Sequence, residues 1–130
     1  MIAVDTKVLV RLVINDDAVQ AQKARTLFDT YADTDEAVWV ADIVLVELVW
    51  ALDRSYQRPR HDICTALRAL AGNATVRLES QPCMERAIAL YAQGPAGFAD
   101  CLLAVKAALT CESLRTFDKK MRDLPGVELL

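Results

Sequence analysis

Apolar and polar positions change period repeatedly along this chain, and each change predicts an element. Ile2-Ala3-Val4 is a short apolar run that stops on Asp5 and reads as a strand. Residues 6–14 read as a short helix, and Asn15-Asp16-Asp17 as the turn and cap that start another. In that second helix, residues 18–31, Val19, Ala24, Leu27, Phe28 and Tyr31 recur near helical spacing with charges between them. Residues 37–41 form a continuous apolar run with acids on either side, as a buried parallel strand requires.

Asp42 then stands where an N-cap belongs, ahead of a predicted helix over 43–53 that is apolar almost all round. Such a helix is expected to be buried on most faces, with Trp39 and Trp50 in the core. The basic stretch 54–60 reads as a connection, 62–71 as a helix ended by Gly72-Asn73, and 75–78 as a third strand. A helix from 80–82 to 93 is broken by Gly94-Pro95-Ala96-Gly97. An apolar helix over 98–109 follows, then a fourth strand over 113–117 that runs into Asp118 and a short charged turn of helix to Leu124. Pro125-Gly126 precedes a last strand over 127–130. Strands alternating with one or two helices, with short connections, predict an α/β sandwich around a parallel sheet, in a single domain spanning 1–130.

Composition narrows what such a domain can do. At 130 residues, 54% of them apolar, the chain can bury roughly two thirds of its unfolded surface in one core. The longest apolar stretch is interrupted by Asp42 and Glu47, and no basic leader precedes a long apolar run, so a cytoplasmic location is expected. The four cysteines, Cys64, Cys83, Cys101 and Cys111, form no C-x-x-C pair and are read as reduced core thiols. A net charge of −3 excludes nucleic-acid binding by overall attraction, although a local basic rim stays open. With His61 as the single histidine, neither a two-histidine ribonuclease site nor a histidine-rich metal cluster can be built. The chemistry must run on carboxylates.

Glu47 is the most informative of these. Its helical neighbours one turn away, Ile43, Val44, Trp50 and Ala51, offer no cation, so it either reaches solvent on an exposed edge of its helix, hydrogen-bonds, or meets a cation from elsewhere. Asp100 sits in the first turn of another apolar helix, where an acid also suits the unsatisfied N–H groups. Asp5 and Asp118 close apolar β-runs, at the strand ends where α/β sites form, and each can cap the helix that follows. Four carboxylates gathered at one end of a sheet would repel one another and raise one another's pKa values, so the set makes sense as a seat for a hard divalent ion. Oxygen-only ligands point to Mg²⁺ or Mn²⁺, and such an ion suits hydrolysis of a phosphodiester.

The segments Ile2-Ala3-Val4-Asp5-Thr6-Lys7-Val8-Leu9-Val10, Val46-Glu47-Leu48, Gly97-Phe98-Ala99-Asp100-Cys101-Leu102-Leu103-Ala104 and Thr116-Phe117-Asp118-Lys119-Lys120 resemble the ordered acidic motifs of PIN-domain proteins, most closely the VapC-type toxins of toxin–antitoxin pairs. The resemblance spans essentially the whole chain. It implies a three-layer sandwich with a parallel five-stranded sheet flanked by helices, and a Mg²⁺- or Mn²⁺-dependent endoribonuclease acting on RNA. It also implies a homodimer and a cognate antitoxin that obstructs the site. By motif match Asp5, Glu47, Asp100 and Asp118 are the catalytic and metal-binding acids, with Thr6 and Thr116 as supporting hydroxyls. Lys7, Arg11 and Lys119 are the leading RNA-contact candidates, with Arg54, Arg58, Arg60 and Lys120 behind them, and Tyr56 is a candidate for base stacking.

Two positions depart from the family pattern. Lys7 stands where a small polar residue is frequent, and serves as a contact to the scissile phosphate, as a tether to a site carboxylate, or as a solvated helix-start residue. Gly97 stands where many members carry a further acid, which leaves open whether one ion or two take part. Two readings of other classes compete: a receiver-like phosphoacceptor domain and a non-enzymatic interaction module that keeps the fold.

Overall fold

The computed structural model describes residues 1–130, and its chain divides into two compact units, Met1–Gln81 and Pro82–Leu130. In the first unit β1 (Ile2–Ala3), β2 (Val38–Val40) and β3 (Val76–Leu78) form a parallel sheet in the order β1-β2-β3. Ile2 faces Val38 in register, and Val38, Trp39 and Val40 face Val76, Arg77 and Leu78. Val38 and Val40 are fully buried while Trp39 between them is half-buried, as the alternation of side chains along a central strand dictates.

Four helices accompany this sheet: α1 (Thr6–Val13), α2 (Ala18–Ala32), α3 (Asp42–Arg54) and α4 (Arg60–Ala71). Helix α1 packs against α2 and α3, and α3 against α4. Their buried stripes follow helical spacing: Leu9 and Val10 on α1, Ala21, Ala24 and Phe28 on α2, Leu45, Leu48, Val49 and Leu52 on α3, and Ile63, Cys64, Leu67 and Leu70 on α4. Asp17 caps α2 by accepting the Gln20 N–H at 3.0 Å, as the Asn15-Asp16-Asp17 turn predicts.

The second unit comprises most of α5 (Gln81–Gln93), then α6 (Phe98–Ala107), β4 (Leu114–Thr116), a 3₁₀ turn at Lys119–Met121 and β5 (Val127–Leu129). Strands β4 and β5 pair in parallel, Leu114 with Val127 and Thr116 with Leu129. Gly126, at φ +74°, makes the turn into β5 and accepts the Leu114 N–H at 2.8 Å, a conformation that a side chain would strain. Tyr91 of α5 meets Phe98 of α6 edge to face, with ring centroids 5.7 Å apart.

The element order matches the expected α/β alternation, with helix ends within about two residues. Several details differ. The five parallel strands are distributed over two sheets, three in one and two in the other, in place of one continuous ladder. Strands of two or three residues carry few ladder bonds each. Asp42 is not an N-cap: Ala41 occupies that position with extended backbone angles, and Asp42 begins the helix proper. There its carboxylate accepts the Ser80 hydroxyl at 2.9 Å, while its own N–H donates to Glu79 at 3.0 Å.

Nor is α3 buried on most faces. Ile43 is 65% and Trp50 63% exposed, because helix packing covers only the stripe through Leu45, Leu48 and Leu52. Trp50 is therefore a surface residue and not a core one. None of the four cysteines is in a disulfide; Cys64 and Cys101 are buried, Cys83 is half-buried, and Cys111 lies exposed in the segment after α6.

Candidate active site

In the first unit the chain leaves β1 and turns at Asp5 into α1. Asp5 takes the extended N-cap conformation, and its carboxylate accepts the Val8 N–H at 3.4 Å, a long bond on an exposed side chain. The cap role and an outward-facing carboxylate therefore coexist. The next residue, Thr6, donates its hydroxyl to Oε2 of Glu47 at 3.1 Å, across 41 positions of sequence. Glu47 is exposed, one turn from Ile43 and from Trp50 along α3, and it makes no ion pair. The exposed-edge alternative is thus the observed geometry, and the hydroxyl of Thr6 is what fixes the side chain.

In the second unit Asp100 is the third residue of α6, behind an N-cap at Gly97 that makes no side-chain capping bond. Its carboxylate is half-buried, and burial followed by the nearby charge of Asp118 pushes its pKa above the ordinary aspartate value. Asp118 accepts the Lys120 N–H at 2.9 Å and so caps the 3₁₀ turn. Its own N–H donates to the Thr116 hydroxyl at 3.0 Å, and that hydroxyl points on to the Met121 sulfur at 3.7 Å. Thr116 therefore orders the backbone of the loop and does not touch a carboxylate. A methyl group at Gly97 would stand 3.6 Å from Oδ2 of Asp100, an ordinary contact, so position 97 adjoins the acid without crowding it.

The cations are less free than the sequence suggests. Arg11 donates to Gln20 at 2.6 Å and to Asp16 at 3.0 Å. The Tyr56 hydroxyl reaches the other oxygen of the same Asp16 at 3.0 Å, so its edge is committed to the first unit's own structure. Arg54 lies 3.6 Å from Asp53. Lys7, Lys119 and Lys120 are exposed and make no ion pair. Two residues not singled out from the sequence also stand out. Phe117, beside Asp118 and the last residue of the expected strand over 113–117, lies past the end of β4 and is 81% exposed. Lys23 on α2 shares a cavity with Lys7 and Arg11, and its spacing to Gln20, Ala24 and Leu27 along one helix face was the available signal.

None of Asp5, Glu47, Asp100 and Asp118 is paired with a lysine or arginine, and all present hard oxygen donors. No three His, Cys, Asp or Glu side chains stand close enough together to hold an ion as they are placed. Mg²⁺ does not require that many, since it keeps several waters and is commonly bound through one or two carboxylates. The donor chemistry fits such an ion.

Parallel strands whose carboxyl ends lead into acids, alternating with helices that carry two more, define an α/β protein with acids at strand ends and on helices in each unit. The PIN domain family model matches residues 2–127, and the chain belongs to the PIN-domain family, as its motifs led one to expect. That membership sets the receiver-like alternative aside. The chain is similar to the VapC ribonuclease of Aquifex aeolicus (strain VF5), with 28% identity over 103 residues that cover 79% of this chain and 76% of that one. Among solved structures it is similar to VapC20 of Mycobacterium tuberculosis, described as a sarcin-ricin loop cleaving toxin. The likeness covers 94% of this chain and 92% of that one at 18% identity, with a TM-score of 0.46.

Proposed function

We propose that this protein is a Mg²⁺- or Mn²⁺-dependent endoribonuclease, the toxin of a toxin–antitoxin pair, with Asp5, Glu47, Asp100 and Asp118 as its catalytic and metal-binding acids. The observation that carries the reading is the Thr6–Glu47 hydrogen bond, which joins the strand-end acidic motif to the mid-helix acid. The similarity to a VapC ribonuclease over most of both chains supports the same activity. So does the family match, which runs through both compact units and favours their working as one domain.

In this reading Asp5 and Glu47 act at the amino end of α1, Asp100 acts from the first turn of α6, and Asp118 acts from the turn just past β4. Thr6 holds the Glu47 carboxylate in one orientation, and Thr116 holds the loop that carries Asp118. When bound, a hard divalent ion supplies an activated water and neutralises charge at the phosphodiester. Lys7, Lys119 and Arg11 are the cations assigned to the RNA backbone, with Arg11 held in place by Gln20 and Asp16. A cognate antitoxin, a homodimeric assembly and a cytoplasmic setting complete the proposal. No helix is long and apolar enough to cross a membrane.

The test is incubation of purified, antitoxin-free protein with structured RNAs in Mg²⁺, in Mn²⁺ and in chelator. Cleavage that requires an ion supports the reading. No cleavage under either ion, together with tight binding of a protein partner, would instead favour the interaction-module alternative.

A further inference from the structure

Helices α1 and α2 enclose a cavity of about 300 Å³ lined by Lys7, Val8, Arg11, Gln20, Lys23, Ala24 and Leu27. Its chemistry is divided. Val8, Ala24 and Leu27 make an apolar wall, whereas Lys7, Arg11 and Lys23 bring three cations and no lining residue is acidic. Arg11 is balanced by Asp16 at 3.0 Å, but Lys7 and Lys23 are exposed and make no ion pair. In a chain of net charge −3, two unbalanced lysines over an apolar wall form a local exception to the overall field.

We propose that this cavity is an RNA subsite that takes one nucleotide flanking the cleaved bond, its phosphate between Lys7 and Lys23 and its base against Val8, Ala24 and Leu27. The volume lies at the lower end of the range for small-molecule sites, about 300–1,000 Å³, which suits a single nucleotide. Gln20 supplies an amide at the rim, where its Oε1 already accepts from Arg11 Nε. Position is the second argument. Lys7 follows Thr6 directly in the first turn of α1, so the cavity begins one residue from the hydroxyl that holds Glu47. A strand entering this cavity is delivered to the amino end of α1, where Asp5 and Glu47 stand. A purely acidic peptide would satisfy the lysines but would leave the apolar wall of Val8, Ala24 and Leu27 uncovered. The inference rests on the ribonuclease reading for the identity of the strand.

The experiment is fluorescence anisotropy of a labelled RNA hexanucleotide with the full chain in chelator, which withholds the ion that the proposed cleavage requires. Lys23→Glu is expected to weaken binding roughly tenfold and to lower the slope of log affinity against log salt by about 0.7 for the lost contact. Arg25→Glu, the same charge change on α2 outside the cavity, should do neither. Equal effects of the two variants, no binding by the wild type, or equal affinity for a hexaglutamate peptide would overturn the subsite. Cleavage assays separate this outcome from the wider proposal. Ion-dependent cleavage with Lys23→Glu indistinguishable from Arg25→Glu removes the subsite alone. Lys23-dependent binding without cleavage under any ion removes the ribonuclease and keeps the subsite.

Discussion

The two compact units each place an acid just past the end of a strand and a second acid on a helix, yet they hold these carboxylates by different means. In Met1–Gln81 the strand-end threonine, Thr6, bonds directly to the helix acid Glu47, and both acids of the pair are exposed. In Pro82–Leu130 the strand-end threonine, Thr116, accepts the Asp118 N–H, and the helix acid Asp100 is half-buried with its pKa raised by burial and by Asp118. One hydroxyl thus orients a charge, whereas the other orients a backbone. The motif Asp-Thr and the motif Thr-Phe-Asp look like interchangeable pairs in sequence, but which side of the acid the hydroxyl stands on decides what it can reach.

The largest expected difference between the two threonines is in activity. Thr6→Val removes a hydrogen bond to an exposed carboxylate that water can replace, so the melting temperature should change little, while lost orientation of Glu47 is expected to lower RNA cleavage by about 10- to 100-fold. Thr116→Val removes a neutral bond and should cost about 0.5–1.5 kcal/mol of stability, with the smaller loss of cleavage. Parallel cleavage rates and chemical denaturation of the two variants check this, and equal activity losses would erase the distinction.

Metal binding gives the next effect. Millimolar Mg²⁺ or Mn²⁺ is expected to raise the melting temperature by mass action, since the ion binds the folded chain and not the unfolded one. The shift should shrink in Glu47→Gln and in Asp100→Asn alike. An undiminished shift in either variant would restrict metal binding to the other unit's acids.

The smallest effect concerns pH. Because the folded-state pKa of Asp100 lies above its unfolded value, the folded chain binds more protons within that interval. Stability therefore falls as pH rises through the window and stays lower above it. In metal-free buffer Asp100→Asn should be slightly more stable than the wild type at neutral pH, and the advantage should vanish below about pH 4, the ordinary aspartate range. Urea midpoints measured across this pH range test both expectations.

Much of the first unit was legible because its signals are local. Asp17 caps its helix within three residues, and the apolar spacing of α2 finds its buried stripe without help from the rest of the chain. Asp42 was misread for the opposite reason. Its partners Ser80 and Glu79 come from the end of β3 and beyond, and the capping position falls to Ala41, a residue without capping chemistry. Trp50 was misplaced because an apolar helix does not announce which of its faces will be covered. The division of the strands into two sheets depends on hydrogen bonds that apolar runs do not encode. Among the candidate site residues, the four acids were chosen by their chemistry and order. That Thr6 would reach Glu47, that Thr116 would turn to the loop, and that Lys23 would join Lys7 were tertiary facts.

The central claim is that the acids of both units serve one ion-dependent reaction. It is tested most directly by the Mn²⁺-dependent RNA cleavage rates of Asp5→Asn, Glu47→Gln, Asp100→Asn and Asp118→Asn beside the wild type, each variant first shown to be folded. The account predicts a loss of about 100-fold or more in every one of the four. Wild-type rates in Asp100→Asn and Asp118→Asn, with loss confined to Asp5→Asn and Glu47→Gln, would contradict it.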